Sequence, residues 1–133
     1  MTAWRDGRIK QTLLASILAF RKQHAALFAN GRYLPLAIEG AHASHALAFL
    51  RRDALDTALV VVTRLAHTML ASRNVPHVAP STWGDTAVRL PPFVSKTTWR
   101  DVSTGARLEP SAESRLNLKD VLSELPIAVL LKT

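Results

Sequence analysis

The chain has 133 residues, with seventeen Lys and Arg against ten Asp and Glu, for a formal net charge of +7. It contains no cysteine, which excludes disulfides, thiol nucleophiles and thiolate metal sites and fits a reducing compartment. A hydrophobic content of 48% argues against disorder, and a chain of this size buries about two-thirds of its unfolded surface, enough to fold without a metal or a disulfide.

The first expected element is a helix over residues 8–28. Ile9, Leu13, Ile17 and Phe20 recur at helical spacing, and Leu14 and Leu18 widen the stripe. Asp6 is placed to cap its start, and Asn30-Gly31 to stop it, the glycine taking the left-handed conformation after the last turn. Such a rod is about 30 Å long, and its broad apolar face must pack on something. The opening MTAWRDGRIK enters the helix almost at once, as expected of a cut made inside a longer protein.

Everything after Gly31 reads as β. Residues 33–39, 44–52 and 57–65 are strand-like, separated by the breaks GAHA and DALD. The third contains ALVVV, apolar on both faces, and is expected to be a central buried strand. Residues 66–82 carry Asn74, Pro76 and Pro80 without periodicity, a connection long enough to draw attention inside a compact domain. Strands follow over 83–90 and 97–102, the latter paired through the turn STG to 106–108. LNLKDVLSEL alternates at Leu116 and Leu118 and then allows one helical turn at 119–122, and residues 127–132 close the chain as a strand. The fold class is mainly β with one long N-terminal α-helix, the strands forming a small antiparallel β-sandwich.

The charge distribution does not read as a nucleic-acid surface. The basic residues are scattered, no basic run is interleaved with aromatics, and no helix carries a basic stripe with base-reading polar residues. The longest apolar stretches, TLLASILAF and ALVVV, fall far short of the roughly 20 residues of a membrane span. With no cleavable leader pattern near the N-terminus, a cytoplasmic protein is expected.

No catalytic constellation emerges. Asp53 and Asp56 flank a turn, where an aspartate caps its own backbone, and Glu109 and Glu113 lie around Pro110 in another loop. His42 and His45 are three apart at a strand start, which would direct their rings to opposite faces, and no third ligand is suitably spaced, so no metal and no cofactor are expected. His24 lies in the last turns of the helix, where a cation suits the dipole; His67 and His77 lie in the long connection. No glycine belongs to a phosphate-binding loop, and no serine sits in a nucleophile elbow. By residue type, Trp83 and Trp99 are candidates for stacking on sugar rings; equally, each is a large hydrophobe at a strand start, half-buried against its neighbour.

The stretch LLASILAFRKQHAALFANGRYLPL, through Leu18, Arg21, His24, Leu27, Gly31 and Tyr33, resembles the junction of the α-amylase superfamily where the last helix of the catalytic β/α barrel feeds a C-terminal β-sandwich. DGRIK, HALAFLRR, ALVVVTRL, WGDTAVRLP and WRDVSTG, in that order, resemble the C-terminal region of the malto-oligosyltrehalose synthases. The resemblance spans the chain except for 66–82. It implies a division into residues 1–31, the last barrel helix, and 32–133, the accessory sandwich.

The parent enzyme so implied is a bacterial cytoplasmic isomerase that converts the reducing-end α-1,4 bond of a malto-oligosaccharide into an α,α-1,1 trehalosyl end. Its retaining carboxylates belong to barrel strands that no motif here matches, so the chain alone is expected to be inactive. In a β/α barrel each helix begins at the catalytic face, and this places Asp6, Arg8 and Lys10 nearest the substrate. Each also has a plain role, Asp6 as a cap and the other two as surface charges. The sandwich begins at the helix's far end, which makes WGDTAVRLP framework, with Asp85 capping its turn and Arg89 pairing with a carboxylate.

The expected partners are the remainder of the parent chain and its malto-oligosaccharide, with neither nucleic acid nor membrane. In isolation the helix stripe would fold back on the sandwich, form a dimer or aggregate. The rival readings are a carbohydrate-binding module, which requires exposed, coplanar Trp83 and Trp99, and a stand-alone basic nucleic-acid-binding domain.

Overall fold

The computed structural model describes residues 7–70 and 78–133. Helix α1, Arg8–Gln23, and the short α2, Ala25–Asn30, precede β1 Arg32–Leu36, β2 Ile38–Glu39, β3 Ala46–Arg52, β4 Thr57–Thr63, β5 Ala87–Arg89, β6 Trp99–Asp101, β7 Arg107–Leu108 and β8 Arg115–Asn117. A single turn, α3 Leu118–Val121, leads to β9 Ile127–Lys132. One sheet has the order β1-β3-β4-β9-β6-β7 and the other β2-β5-β8, and neighbouring strands are antiparallel.

The strand expected over 33–39 is one extended run serving both sheets. It pairs with β3 up to Leu36 and with β5 from Ile38, and between them the Ala37 carbonyl accepts the Arg89 N–H at 3.0 Å. Pro35 is accommodated because β1 is an edge strand, where a missing donor can face outward. The strand expected over 57–65 stops at Thr63. Leu65 turns the chain with a left-handed φ of 50°, a conformation that costs a bulky side chain energy.

Strand β4 lies between β3 and β9, as its apolar sequence demands, and period-2 alternation splits it between two cores. Leu59 and Val61 point between the sheets, joining Leu50, Leu130, Val88, Leu116 and Leu122. Ala58 and Val60 point the other way and pack with Val129 against Phe20 and Leu27 of the helices, flanked by Ile17 and Phe28. The helices therefore cover the outer face of the large sheet over β4 and β9.

The single helix expected over 8–28 is broken at His24, which has φ −117° and ψ 41°. The break directs the His24 ring to Asp56 in the β3–β4 turn, with 2.8 Å between Nδ1 and the carboxylate, while the ring also lies 4.5 Å from that of Phe20. A contact across 32 residues leaves no trace in helical periodicity. At the helix start, Gly7 holds the cap position without a side-chain hydrogen bond, and Asp6, the expected cap, lies outside the described residues.

Gly31 departs from the expectation of a left-handed stop. Its backbone is extended, φ −63° and ψ 148°, a region open to any residue. Glycine is required there for space, since an added Cβ would stand 2.2 Å from the Leu27 carbonyl oxygen and 3.2 Å from that of Arg52. The Arg51 guanidinium reaches back to donate to the Phe28 carbonyl, satisfying one of the acceptors a helix end leaves open.

The turns follow side-chain chemistry. Asp53 accepts the Leu55 and Asp56 N–H groups at 2.8 and 2.7 Å. Asp101 does the same for Ser103 and Thr104 at 2.7 and 3.1 Å, closing the STG turn between β6 and β7. Arg89 pairs with Glu39 at 3.2 Å. For Asp85 the structure shows its backbone carbonyl accepting from Arg115 at 3.1 Å.

Asp101 is buried, and that burial raises its carboxyl above the ordinary value against the opposing pull of its two N–H donors. The folded state therefore binds this proton more readily than the unfolded chain. The associated stability is fully present below the unfolded carboxylate value and is lost as pH rises through the raised folded one. D101N keeps an acceptor for both N–H groups but cannot titrate. Stability measured by urea unfolding should shift in favour of the wild type, relative to D101N, as pH falls through the acid range. A difference that does not change with pH would contradict this account.

Candidate interaction face

The helical stripe is wider than the sheet can cover. Residues on one side, Ile17, Phe20 and Leu27, enter the core with β4 and β9. Leu14 and Leu18, one turn apart on the flank, remain 53% and 52% exposed. Leu18 and Phe28 line a shallow cavity of about 380 Å³ with Ala25, Ala29 and the stems of Arg21 and Lys22.

The apolar surface continues from the helix onto the sheet. Phe28 and Phe49 flank the same core, and the Phe49 ring lies 5.0 Å from Tyr33, which is 54% exposed. Two residues along β3 on the same face, Leu47 is also exposed. Leu14, Leu18, Phe28, Phe49, Tyr33 and Leu47 thus form one apolar strip along α1, α2 and the β1–β3 edge. Its helical margin is basic, carrying Arg21 and Lys22, and residues 8–23 contain no carboxylate. Exposed apolar residues grouped in this way make the strip the candidate interaction face.

The expected site residues are scattered. Arg8 and Lys10 lie in the exposed first turn of α1, with Asp6 outside the described residues. Trp83 and Trp99 are brought together, but inside the core between the sheets, where both are 0% exposed. Trp83 closes a 3-10 turn, Pro80–Trp83, rather than opening a strand, and Trp99 faces inward from β6 beside Leu108 and Lys132. Neither indole offers a face to a sugar, which corrects their reading as stacking platforms.

His42 and His45 also depart from expectation. Ala43–His45 is a 3-10 turn rather than a strand, and residues three apart on such a turn eclipse, so the rings lie 6.1 Å apart. His45 Nδ1 is within 3.0 Å of the Leu65 carbonyl oxygen. Among the described residues no group of three His, Cys, Asp or Glu could hold a metal ion, and no helix is long and apolar enough to cross a membrane.

Fold and surface together define a mostly β unit: an antiparallel sandwich-like domain with a helical layer whose apolar flank is uncovered. Comparison with solved structures finds a mutant of maltooligosyltrehalose synthase from Arthrobacter ramosus, similar over 96% of this chain at 26% identity and a TM-score of 0.68. The chain spans 14% of that protein's length. No family model and no curated protein matches the sequence.

Proposed function

We propose that this chain is an accessory, structural domain of a maltooligosyltrehalose synthase, held to the catalytic part of the enzyme through the strip from Leu14 to Leu47. The observation that carries this reading is the pairing of near-complete coverage of this chain with a 14% share of the similar enzyme. A unit of that size within a chain several times longer must present a surface to the rest, and the strip is an apolar surface left open along both helix and sheet. In this reading residues 1–31 derive from the last barrel helix, and 32–133 are the sandwich that follows it. The parent would isomerise the reducing-end α-1,4 bond of malto-oligosaccharides to an α,α-1,1 bond with carboxylates outside this chain, and Asp6, Arg8 and Lys10 would lie on its substrate side. The carbohydrate-binding alternative loses its main support with the burial of both tryptophans.

The test begins with the size of the native polypeptide. An antibody against residues 32–133 should detect a band several times larger than 14.6 kDa in the source cells, and the purified large polypeptide should consume the reducing ends of maltopentaose without releasing glucose. A band at 14.6 kDa alone would overturn the reading. In the large polypeptide, L14E/L18E should lower the melting temperature and impair that activity. In the 133-residue chain the same exposed positions should change stability by no more than about 0.5 kcal/mol each.

A further inference from the structure

On the opposite face of β1 and β3 from the strip, a cavity of about 580 Å³ opens at the end of the sandwich, within the size range of small-molecule pockets. Its apolar lining comes from Leu34, Leu50 and Phe93, and its charged lining from Arg32, Arg52 and Asp53. The two arginines occupy directly opposed register positions, an arrangement that is destabilising for like charges. Among the described residues no ion pair joins either of them to a carboxylate. Asp53 offsets only one of the two charges: its Oδ1 accepts the Leu55 and Asp56 N–H groups, which hold its carboxyl below the ordinary value and so keep it anionic.

The Arg52 guanidinium lies 4.5 Å from the centroid of the Phe93 ring, which holds it at the cavity wall, while Phe93 and Leu34 remain 45% and 39% exposed. Two cations and one anion leave a single net positive charge beside an apolar surface. We propose that this cavity binds a small organic carboxylate, its oxygens shared between the Arg32 and Arg52 guanidiniums and its apolar body against the exposed Phe93 and Leu34. A planar carboxylate matches the fork geometry of a guanidinium, and one negative charge offsets the opposed arginines without crowding Asp53.

The experiment is a titration of the isotopically labelled 133-residue chain with phenylacetate, followed by amide NMR shifts, with phenylacetamide, acetate and inorganic phosphate as comparators. Phenylacetate should give saturable shifts centred on Arg32, Arg52 and Phe93, and each comparator should bind at least about tenfold more weakly, the scale of one charge-assisted hydrogen bond. R32Q and R52Q should each weaken phenylacetate by about the same factor. Equal binding of phenylacetamide would reduce the cavity to an apolar groove. Equal binding of acetate or phosphate would reduce it to diffuse charge. Either result, or shifts located elsewhere, overturns the proposal, and the comparison among ligands on the unaltered chain stands even if a variant folds poorly.

Discussion

Truncating Trp83 or Trp99 to alanine is expected to cost about 3–5 kcal/mol of folding stability in each case, read as a fall in the urea midpoint at unchanged slope. Both indoles are fully buried in the core that unites the two sheets, so truncation removes a large apolar surface and leaves a cavity that the rigid sheet faces cannot close. Native domains are stable by only about 5–15 kcal/mol in total, and either substitution therefore consumes a large share. Among the described residues neither indole Nε1 has a hydrogen-bond partner, so W83F and W99F break no polar contact with them and should retain much more stability than the alanine variants. The same burial predicts that a maltodextrin titration leaves the fluorescence of both tryptophans unchanged. An alanine variant costing under about 1 kcal/mol would place its indole at the surface, since substitutions there are close to neutral.

The second large effect is expected at Gly31. A methyl group there meets backbone on two sides, the Leu27 carbonyl at 2.2 Å and the Arg52 carbonyl at 3.2 Å, and backbone cannot rotate away as a side chain can. G31A must push α2 off the β3–β4 turn, at a cost of about 1–3 kcal/mol or more, the range of overpacked sites. Gly7 is the internal control: its φ of 81° and ψ of −2° are left-handed and an added Cβ would meet nothing within 4 Å, so G7A carries no more than the left-handed penalty of roughly 1–2 kcal/mol. Asparagine separates the two causes, because it tolerates the left-handed region. G7N should recover stability over G7A, whereas G31N should be no better than G31A. Recovery by G31N would show that conformation, not close approach, selects glycine at that position.

These two sites mark the boundary of what could be read from the sequence. The double-sided apolar run of β4, the aspartate-capped turn at Asp53, the β6–β7 pairing through STG and the helical turn after Leu116 were legible because each is set by neighbours a few residues away. Gly31 and the break at His24 were not, since the partners that decide them, Leu27 and Arg52 for one and Asp56 for the other, meet only once the helices dock on the sheet. Trp83 was misplaced because a 3-10 turn and a strand start look alike in one alternating stretch. The helical stripe was legible, but its division into a covered and an open half depends on how far the sheet extends beneath it. The cavity between Arg32 and Arg52 gave no sequence signal, because only strand register sets two arginines twenty residues apart side by side.

The position of β9 has a consequence for how the chain is assembled. The large sheet consists of β1-β3-β4 and β6-β7 joined by β9, which pairs with β4 on one side and β6 on the other. During synthesis both groups precede Ile127, and β4 presents an unpaired apolar strand edge, and β6 an unpaired edge, until β9 arrives. Such edges are templates for pairing with other chains. Closure of this sheet therefore waits for residues 127–132, and until they arrive the open edges are exposed to pairing with other chains.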